Sequence, residues 1–238
     1  LHSFRENISW VGAFELSVKA LDDEARWRLL RMIVFPRQSS IPISVLGDLW
    51  GCDTSDVYKA LALLSQLVTR TSTAHFTLHD LVIDFLLHRA SEEGMSLPEM
   101  HGALVDAWRE KHGSLAAACA ASRCESERLV SAYALERLPH HVCEAGRQDQ
   151  LRDELLLDYS FIKHKVRKVG LAQLLSDFEL STDACCQKVD RALRLGAKAI
   201  RNQPRVLPTM LVGSLLDEPG GSEKLEDFVA DISVKESE

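Results

Sequence analysis

The pair His79-Asp80 is the part of the sequence whose residue types and position suggest chemistry most directly. The histidine ends a short stretch rich in β-branched residues, and the aspartate begins an amphipathic stretch. Because an aspartate there can accept from the free backbone N–H groups of a first helical turn, Asp80 is predicted to be a structural cap. His79 is then held at a strand–helix junction, where it either contacts a neighbouring domain or is an ordinary exposed histidine.

A basic run forms the second candidate site. It consists of Lys163, Lys165, Arg167 and Lys168. Such a run can receive an acidic partner surface or phosphates, and the alternative is a solvated helix face. The sequence alone leaves both interpretations open.

Motifs for enzyme chemistry are absent. The sequence contains no GxxxxGK[ST] loop, no GxGxxG, no GxSxG and no HExxH. We therefore predict no catalytic residues, and we expect that this chain does not hydrolyse nucleotide by itself.

A metal site is not predicted either, although His140, His141 and Cys143 lie close together. Structural zinc sites usually pair their ligands at CxxC-like spacing, whereas Cys119 and Cys124 are five positions apart and fall on different faces of a helix. We interpret the cysteines as reduced, small apolar residues of a cytoplasmic protein.

The charge balance and the length of the apolar runs argue against two classes of partner. Lys and Arg number 28 against 35 Asp and Glu, a formal net charge of −7, so nucleic-acid binding would need a local basic patch. The predicted third helix instead carries Asp53, Asp56 and Lys59, which would repel phosphates overall. No apolar run approaches the roughly 20 residues that span a bilayer. We expect neither sequence-specific nucleic-acid binding nor a membrane partner.

Local patterns predict helices with one exception. A first helix begins after Asp22 or Asp23, a second ends at Gly51, and a third begins after Asp53 or Thr54. Residues 67–71 and 75–79 change to short β-rich stretches, which indicates a small hairpin. Helix, helix, turn, helix, hairpin and helix is the order of a winged-helix domain, with a three-helix core and a two-stranded wing.

The predicted fold is therefore mainly α-helical, in three parts. Residues 1–92 form the winged-helix domain, and residues 93–180 form a domain of helical hairpins or a bundle. Residues 181–238 form a helical extension and an acidic tail that leads toward a sensor region. We expect 218–238 to be a loosely held tail with at most one short helix.

Several segments resemble the NB-ARC signalling ATPases, in the branch of the apoptotic protease-activating factors. The markers are VFP at Val34–Pro36, IPISVL at Ile41–Leu46, LWG at Leu49–Gly51 and LHD at Leu78–Asp80. The LHD tripeptide is similar to the family's (M/L)HD motif. Segments at 97–112, 134–155 and 161–170 resemble the helical domain that follows the winged helix in the same branch.

This resemblance implies a regulatory, non-catalytic fragment of a nucleotide-operated signalling switch. The intact parent would bind ADP or ATP with Mg, whereas this fragment would need no cofactor. The winged helix would pack on a nucleotide-binding domain in an autoinhibited ADP-bound state, with His79 contacting the ADP phosphate. The helical domain would link to a sensor such as a WD-repeat propeller, and activated protomers would form a homo-oligomer.

A second hypothesis comes from the winged-helix prediction alone. In it, the chain is a DNA-binding transcription regulator with a helical effector domain. The acidic third helix and the LHD junction favour the signalling hypothesis. A GxxxxGK[ST] loop in preceding sequence would discriminate between the two.

Overall fold

The computed structural model describes residues 12, 14–65, 67–121, 124–216 and 223–237. Over these ranges the chain is mainly helical, which confirms the predicted class. It divides into two compact units, Leu1–Ala107 and Trp108–Glu238. The domain boundaries at 92 and 180 stay predictions. Within the described ranges, no helix is long and apolar enough to cross a membrane.

The first unit consists of short helices and three short strands, preceded by helical residues 14–19. Its elements are α1 (Asp23–Arg31), a 3-10 turn (Met32–Val34), β1 (Ile41–Pro42), α2 (Ile43–Trp50), α3 (Thr54–Leu63), β2 (Val68–Arg70), β3 (His75–Leu78), α4 (Asp80–Glu92) and α5 (Leu97–His112). The last of these helices continues across the division into the second unit.

Local capping sets the ends of the first helices, as the sequence predicts. Asp22 caps α1 by accepting from the backbone N–H of Ala25 at 2.7 Å. Asp53 caps α3 in the same way. Gly51 ends α2 with a φ of 66°, a left-handed conformation that glycine adopts without a steric penalty.

The hairpin is part of a three-stranded antiparallel sheet in the order β1-β3-β2. Ile41 pairs with Phe76 on one side of β3, and Val68 pairs with Leu78 on the other. The two-stranded prediction is therefore corrected, because Ile41 and Pro42 form a third strand at the edge of the sheet. Proline suits an edge strand, since it has no N–H to donate to a ladder. The winged-helix assignment itself stays a prediction.

The second unit is built from helices. Its elements after α5 are α6 (Leu115–Ala120), α7 (Glu125–Glu144), α8 (Gln148–Leu151), a π-helical turn (Arg152–Leu156), α9 (Tyr159–Lys168), α10 (Leu171–Phe178), α11 (Ala184–Leu195), α12 (Ala197–Asn202), a 3-10 turn (Pro204–Val206), α13 (Leu207–Leu216) and α14 (Glu223–Ser237). Helix α9 packs against α6, α7, α10 and α14, so it lies at the centre of this unit.

The C-terminal region differs from its prediction as a loosely held tail. Residues Glu223–Ser237 form a 15-residue helix with Leu225, Phe228 and Ile232 buried. The helix packs because these three residues recur at helical spacing, a pattern that the many charges around them obscure. The remainder of the predicted tail, 218–222 and Glu238, lies outside the described residues.

Candidate functional site

Two elements place His79 at a tight corner of the first unit. Strand β3 ends at Leu78 and α4 begins at Asp80, so His79 is the single residue between them. Its backbone is extended, with φ −72° and ψ 143°. Because β3 is the central strand of the sheet, pairing on both sides fixes the direction from which the chain enters α4.

The side chain of His79 caps α4. Its Nδ1 accepts a hydrogen bond from the backbone N–H of Leu81 at 3.2 Å. A nitrogen that accepts cannot carry the ring proton, so in the neutral imidazole the proton is on Nε2. The ring is exposed. Because Nδ1 caps the helix, Nε2–H is the remaining hydrogen-bond donor of the ring.

Asp80 is not the cap that the sequence predicts. Its Oδ2 accepts from the amide of Gln38 at 2.6 Å, across 42 positions of sequence. Its Oδ1 is buried and has no hydrogen-bond partner among the described residues. The aspartate therefore holds a loop that is distant in sequence, through its Oδ2 alone.

The loop after Pro36 holds the first turns of α4 at two points. Besides the bond from Gln38 to Asp80, Arg37 forms an ion pair with Asp84, one turn further along the helix. This hydrogen bond from the guanidinium keeps the pKa of Asp84 below its usual range. Gln38 has a φ of 53°, a conformation rare for residues other than glycine. We call Arg37, Gln38, His79, Asp80 and Asp84 the His79 corner.

The charges of the His79 corner limit what it can bind alone. One guanidinium faces two carboxylates, while the positive end of α4 and one imidazole N–H favour an anion. A single exposed donor does not surround a phosphate, which binding loops hold with several backbone N–H groups. The corner can supply one contact to a phosphate whose other contacts come from another domain.

The structure separates the residues of the basic run. Lys163 forms an ion pair with Glu236 of α14 at 2.6 Å, so its charge is used within the chain. Arg167 and Lys168 are exposed at the end of α9. Lys165 is fully buried, which corrects its assignment to a partner surface.

Three groups hold the ammonium of Lys165. It donates to the backbone carbonyl of Leu135 at 2.5 Å and to that of Glu136 at 3.3 Å, both in α7. It also forms a 2.7 Å ion pair with the buried carboxylate of Asp177 in α10. Lys165 therefore connects three helices of the second unit and is part of its core.

The residues considered for a metal site lie in different surroundings. His141 is buried, and its Nε2 lies 3.2 Å from the hydroxyl of Tyr133. Cys119 is also buried, which raises the pKa of its thiol. Cys124 is exposed at the start of α7. Within the described ranges, no three His, Cys, Asp or Glu side chains are grouped as metal ligands.

Sequence reasoning missed the residues that act across long separations. Nothing local marks Gln38 as the partner of Asp80, or Glu236 as the partner of Lys163. Pro139, by contrast, carries a readable signal. A proline inside a predicted helix leaves the carbonyl four positions earlier without its donor, and a distant side chain can supply one.

Comparison with known proteins finds a family match within the helical part of the chain and one similar protein. Residues 97–198 match the family described as the APAF-1 helical domain. Apoptotic protease-activating factor 1 of Danio rerio is 24% identical over 171 residues, which is 70% of this chain and 13% of that protein. The chain thus spans a small part of the relative. These findings confirm the resemblance to the apoptotic protease-activating factors, while the wider NB-ARC assignment stays a prediction.

Proposed function

We propose that this chain is a non-catalytic regulatory part of an apoptosome-type signalling switch that binds ADP or ATP with Mg in another domain. The observation that carries the proposal is the match of residues 97–198 to the APAF-1 helical domain. In this proposal the helices and the three-stranded sheet that precede residue 97 form a winged-helix domain.

In this proposal the His79 corner is one half of a split nucleotide site. The Nε2–H of His79 donates to a phosphate oxygen of ADP, because Nδ1 is occupied by the helix cap. Asp80 acts here through its bond from Gln38, which holds the first turn of α4 in place. Closure on ADP then holds the autoinhibited state, and loss of these contacts favours the open one.

The second unit links this switch to a sensor, for which a WD-repeat propeller is the proposed type. Activated copies of the parent would assemble into a homo-oligomer in the cytoplasm. The chain itself contributes binding surfaces to this process, and we propose no catalytic role for it.

The DNA-binding alternative gains no support from the described surface of α3. Its Lys59 forms an ion pair with Asp56 at 2.8 Å, and the same helix is capped by Asp53. A helix that neutralises its own lysine and presents a further carboxylate is a poor partner for a phosphate backbone.

The decisive experiment changes His79 to aspartate in a protein that joins this chain to its nucleotide-binding domain. Aspartate keeps a cap acceptor for α4 but replaces the donor by a negative charge. A charge-assisted hydrogen bond is worth roughly 1.5–3 kcal/mol, so ADP release should accelerate about 10- to 100-fold. Stopped-flow release of a fluorescent ADP analogue measures this rate.

The matched control is His88→Asp, which makes the same change on an exposed residue of the same helix. ADP release should be unchanged by this control. If His79→Asp leaves the rate unchanged, or if both variants alter it equally, the split-site assignment is wrong. This chain alone should bind ADP no more tightly than roughly millimolar, because it lacks a backbone cradle for phosphates.

A further inference from the structure

A small cleft opens in the second unit. It lies between the end of α6, one face of α7 and the end of α9, and its volume is about 220 Å³. The residues that determine its chemistry are Ala121, Arg128, Ala132, Glu136, Lys168 and Val169. We call it the Arg128–Lys168 cleft.

The cleft combines apolar and cationic groups. Val169, Ala121 and Ala132 contribute apolar surface, while Arg128 and Lys168 are exposed cations of its lining. Neither cation forms an ion pair with any residue in the described part of the chain. Glu136 is the acidic residue of this lining, so the lining carries two positive charges and one negative charge.

The shape and size of the cleft favour a side chain over a cofactor. Pockets for small molecules usually enclose about 300–1,000 Å³, which is more than this cleft offers. An isolated phosphate would satisfy the cations but leave the apolar surface exposed to water. A peptide helix with apolar and acidic residues one turn apart meets both kinds of surface.

The second unit already binds a helix of this chemistry on another face of α9. Helix α14 buries Phe228, and its Glu236 pairs with Lys163 and accepts from the hydroxyl of Tyr159 at 2.8 Å. Its contact therefore joins an apolar anchor to a carboxylate on a lysine of α9. Lys168, five positions after Lys163, offers the same charge on the side of α9 that contributes to the cleft.

We propose that the Arg128–Lys168 cleft binds an acidic amphipathic helix of a partner protein. The helix places one apolar side chain against Ala132 and Val169, and its carboxylates pair with Arg128 and Lys168. This surface adds a protein–protein contact that is separate from the nucleotide switch, and it does not depend on the His79 corner.

The test uses this chain and a labelled synthetic helical peptide, with leucines at helical spacing and glutamates at the other positions. Fluorescence anisotropy measures its binding at low and at physiological salt. The double variant Arg128→Glu/Lys168→Glu should weaken binding at least about tenfold, since it reverses both charges. Val169→Asp should weaken it similarly through the apolar surface.

The matched control is Lys198→Glu/Arg201→Glu, which reverses two exposed charges on α12 and changes the net charge equally. This control should leave the affinity within about twofold. Equal losses in the two double variants would mean general attraction and would overturn the proposal.

Three further outcomes would also overturn it. These are no binding of the peptide to the unaltered chain, equal binding of a peptide with glutamine in place of glutamate, and binding of phosphatidylserine vesicles but not of the peptide. Inorganic phosphate should not compete with the peptide, because it cannot cover Ala132 and Val169. Effective competition by phosphate would mean that the cleft is an anion site instead.

Discussion

The ammonium of Lys165 donates to the carbonyl of Leu135, four positions before Pro139 in α7. In a regular helix that carbonyl would accept from the N–H of residue 139, which a proline does not have. Lys165 therefore supplies the donor that the proline removes, and it does so from α9. Its ion pair with Asp177 extends the connection to α10.

Replacing Lys165 by methionine should destabilise the chain strongly. The substitution keeps most of the apolar stem but leaves the Asp177 carboxylate buried without its cation and the carbonyl of Leu135 without a donor. Removing one partner of a buried ion pair typically costs about 3–5 kcal/mol. Urea unfolding followed by circular dichroism measures the change in the free energy of unfolding.

The control Lys168→Met makes the same change on an exposed residue of the same helix and should cost less than about 0.5 kcal/mol. A second comparison uses Pro139→Ala, which returns the backbone donor to α7. In that background the loss from Lys165→Met should be smaller, and the double-mutant cycle measures the difference. Strictly additive losses would show that the lysine does not act in place of the missing N–H.

Local sequence patterns correctly predicted those features of the fold that depend only on neighbouring residues. Asp53 and Gly51 were identified correctly because a cap depends on the residue and on the helix that directly follows or precedes it. Lys165 was misplaced because its burial depends on a carbonyl 30 positions earlier. Nothing in its own neighbourhood distinguishes it from the exposed Lys168.

The same limit explains the His79 corner. The strand–helix junction was predicted from the change in pattern, and His79 lies there. Asp80 was predicted to be the cap, because aspartate is a commoner capping residue than histidine. In the structure the helix begins at Asp80 itself, so the capping position falls on His79, and the carboxylate of Asp80 accepts from Gln38 instead.

The helix α14 should depend on one buried aromatic residue. Phe228→Ala should expose the backbone amides of this helix to hydrogen exchange, since truncating a buried phenylalanine costs about 3–5 kcal/mol. Val234→Ala, on the exposed face of the same helix, is the control and should leave the exchange rates nearly unchanged. Similar protection in the two variants would show that Phe228 does not anchor the helix.

Capping by His79 predicts a stability effect that is independent of any nucleotide. In this chain, His79→Ala should lower the free energy of unfolding by about 0.5–2 kcal/mol, while His79→Asn should retain most of it. Thermal melting of the two variants and of the unaltered chain measures the difference. His88→Ala, on an exposed residue of the same helix, is the control. An equal loss for alanine and asparagine at position 79 would contradict a capping role.

Asp177 should make the stability of the chain depend on pH in an unusual direction. Burial raises the pKa of its carboxyl from the ordinary value of 3.8 to about 6, although Lys165 acts in the opposite direction. Between these two values the folded state binds a proton that the unfolded state does not. The free energy of unfolding contributed by this group therefore rises as the pH falls through about 6, and it levels off below 3.8.

Comparison with Asp177→Asn isolates this contribution, since the other carboxylates titrate in both proteins. The stability of the unaltered chain relative to the variant should increase by up to about 3 kcal/mol between about pH 7 and pH 4, as measured by urea unfolding. Asp153→Asn is a control of opposite sign, because a hydrogen bond from Arg152 lowers the pKa of Asp153. For that pair the relative stability should stay nearly constant between about pH 7 and pH 4 and should decrease as the pH falls below about 3.8. A flat difference for Asp177→Asn would show that the buried carboxylate takes up no proton on folding.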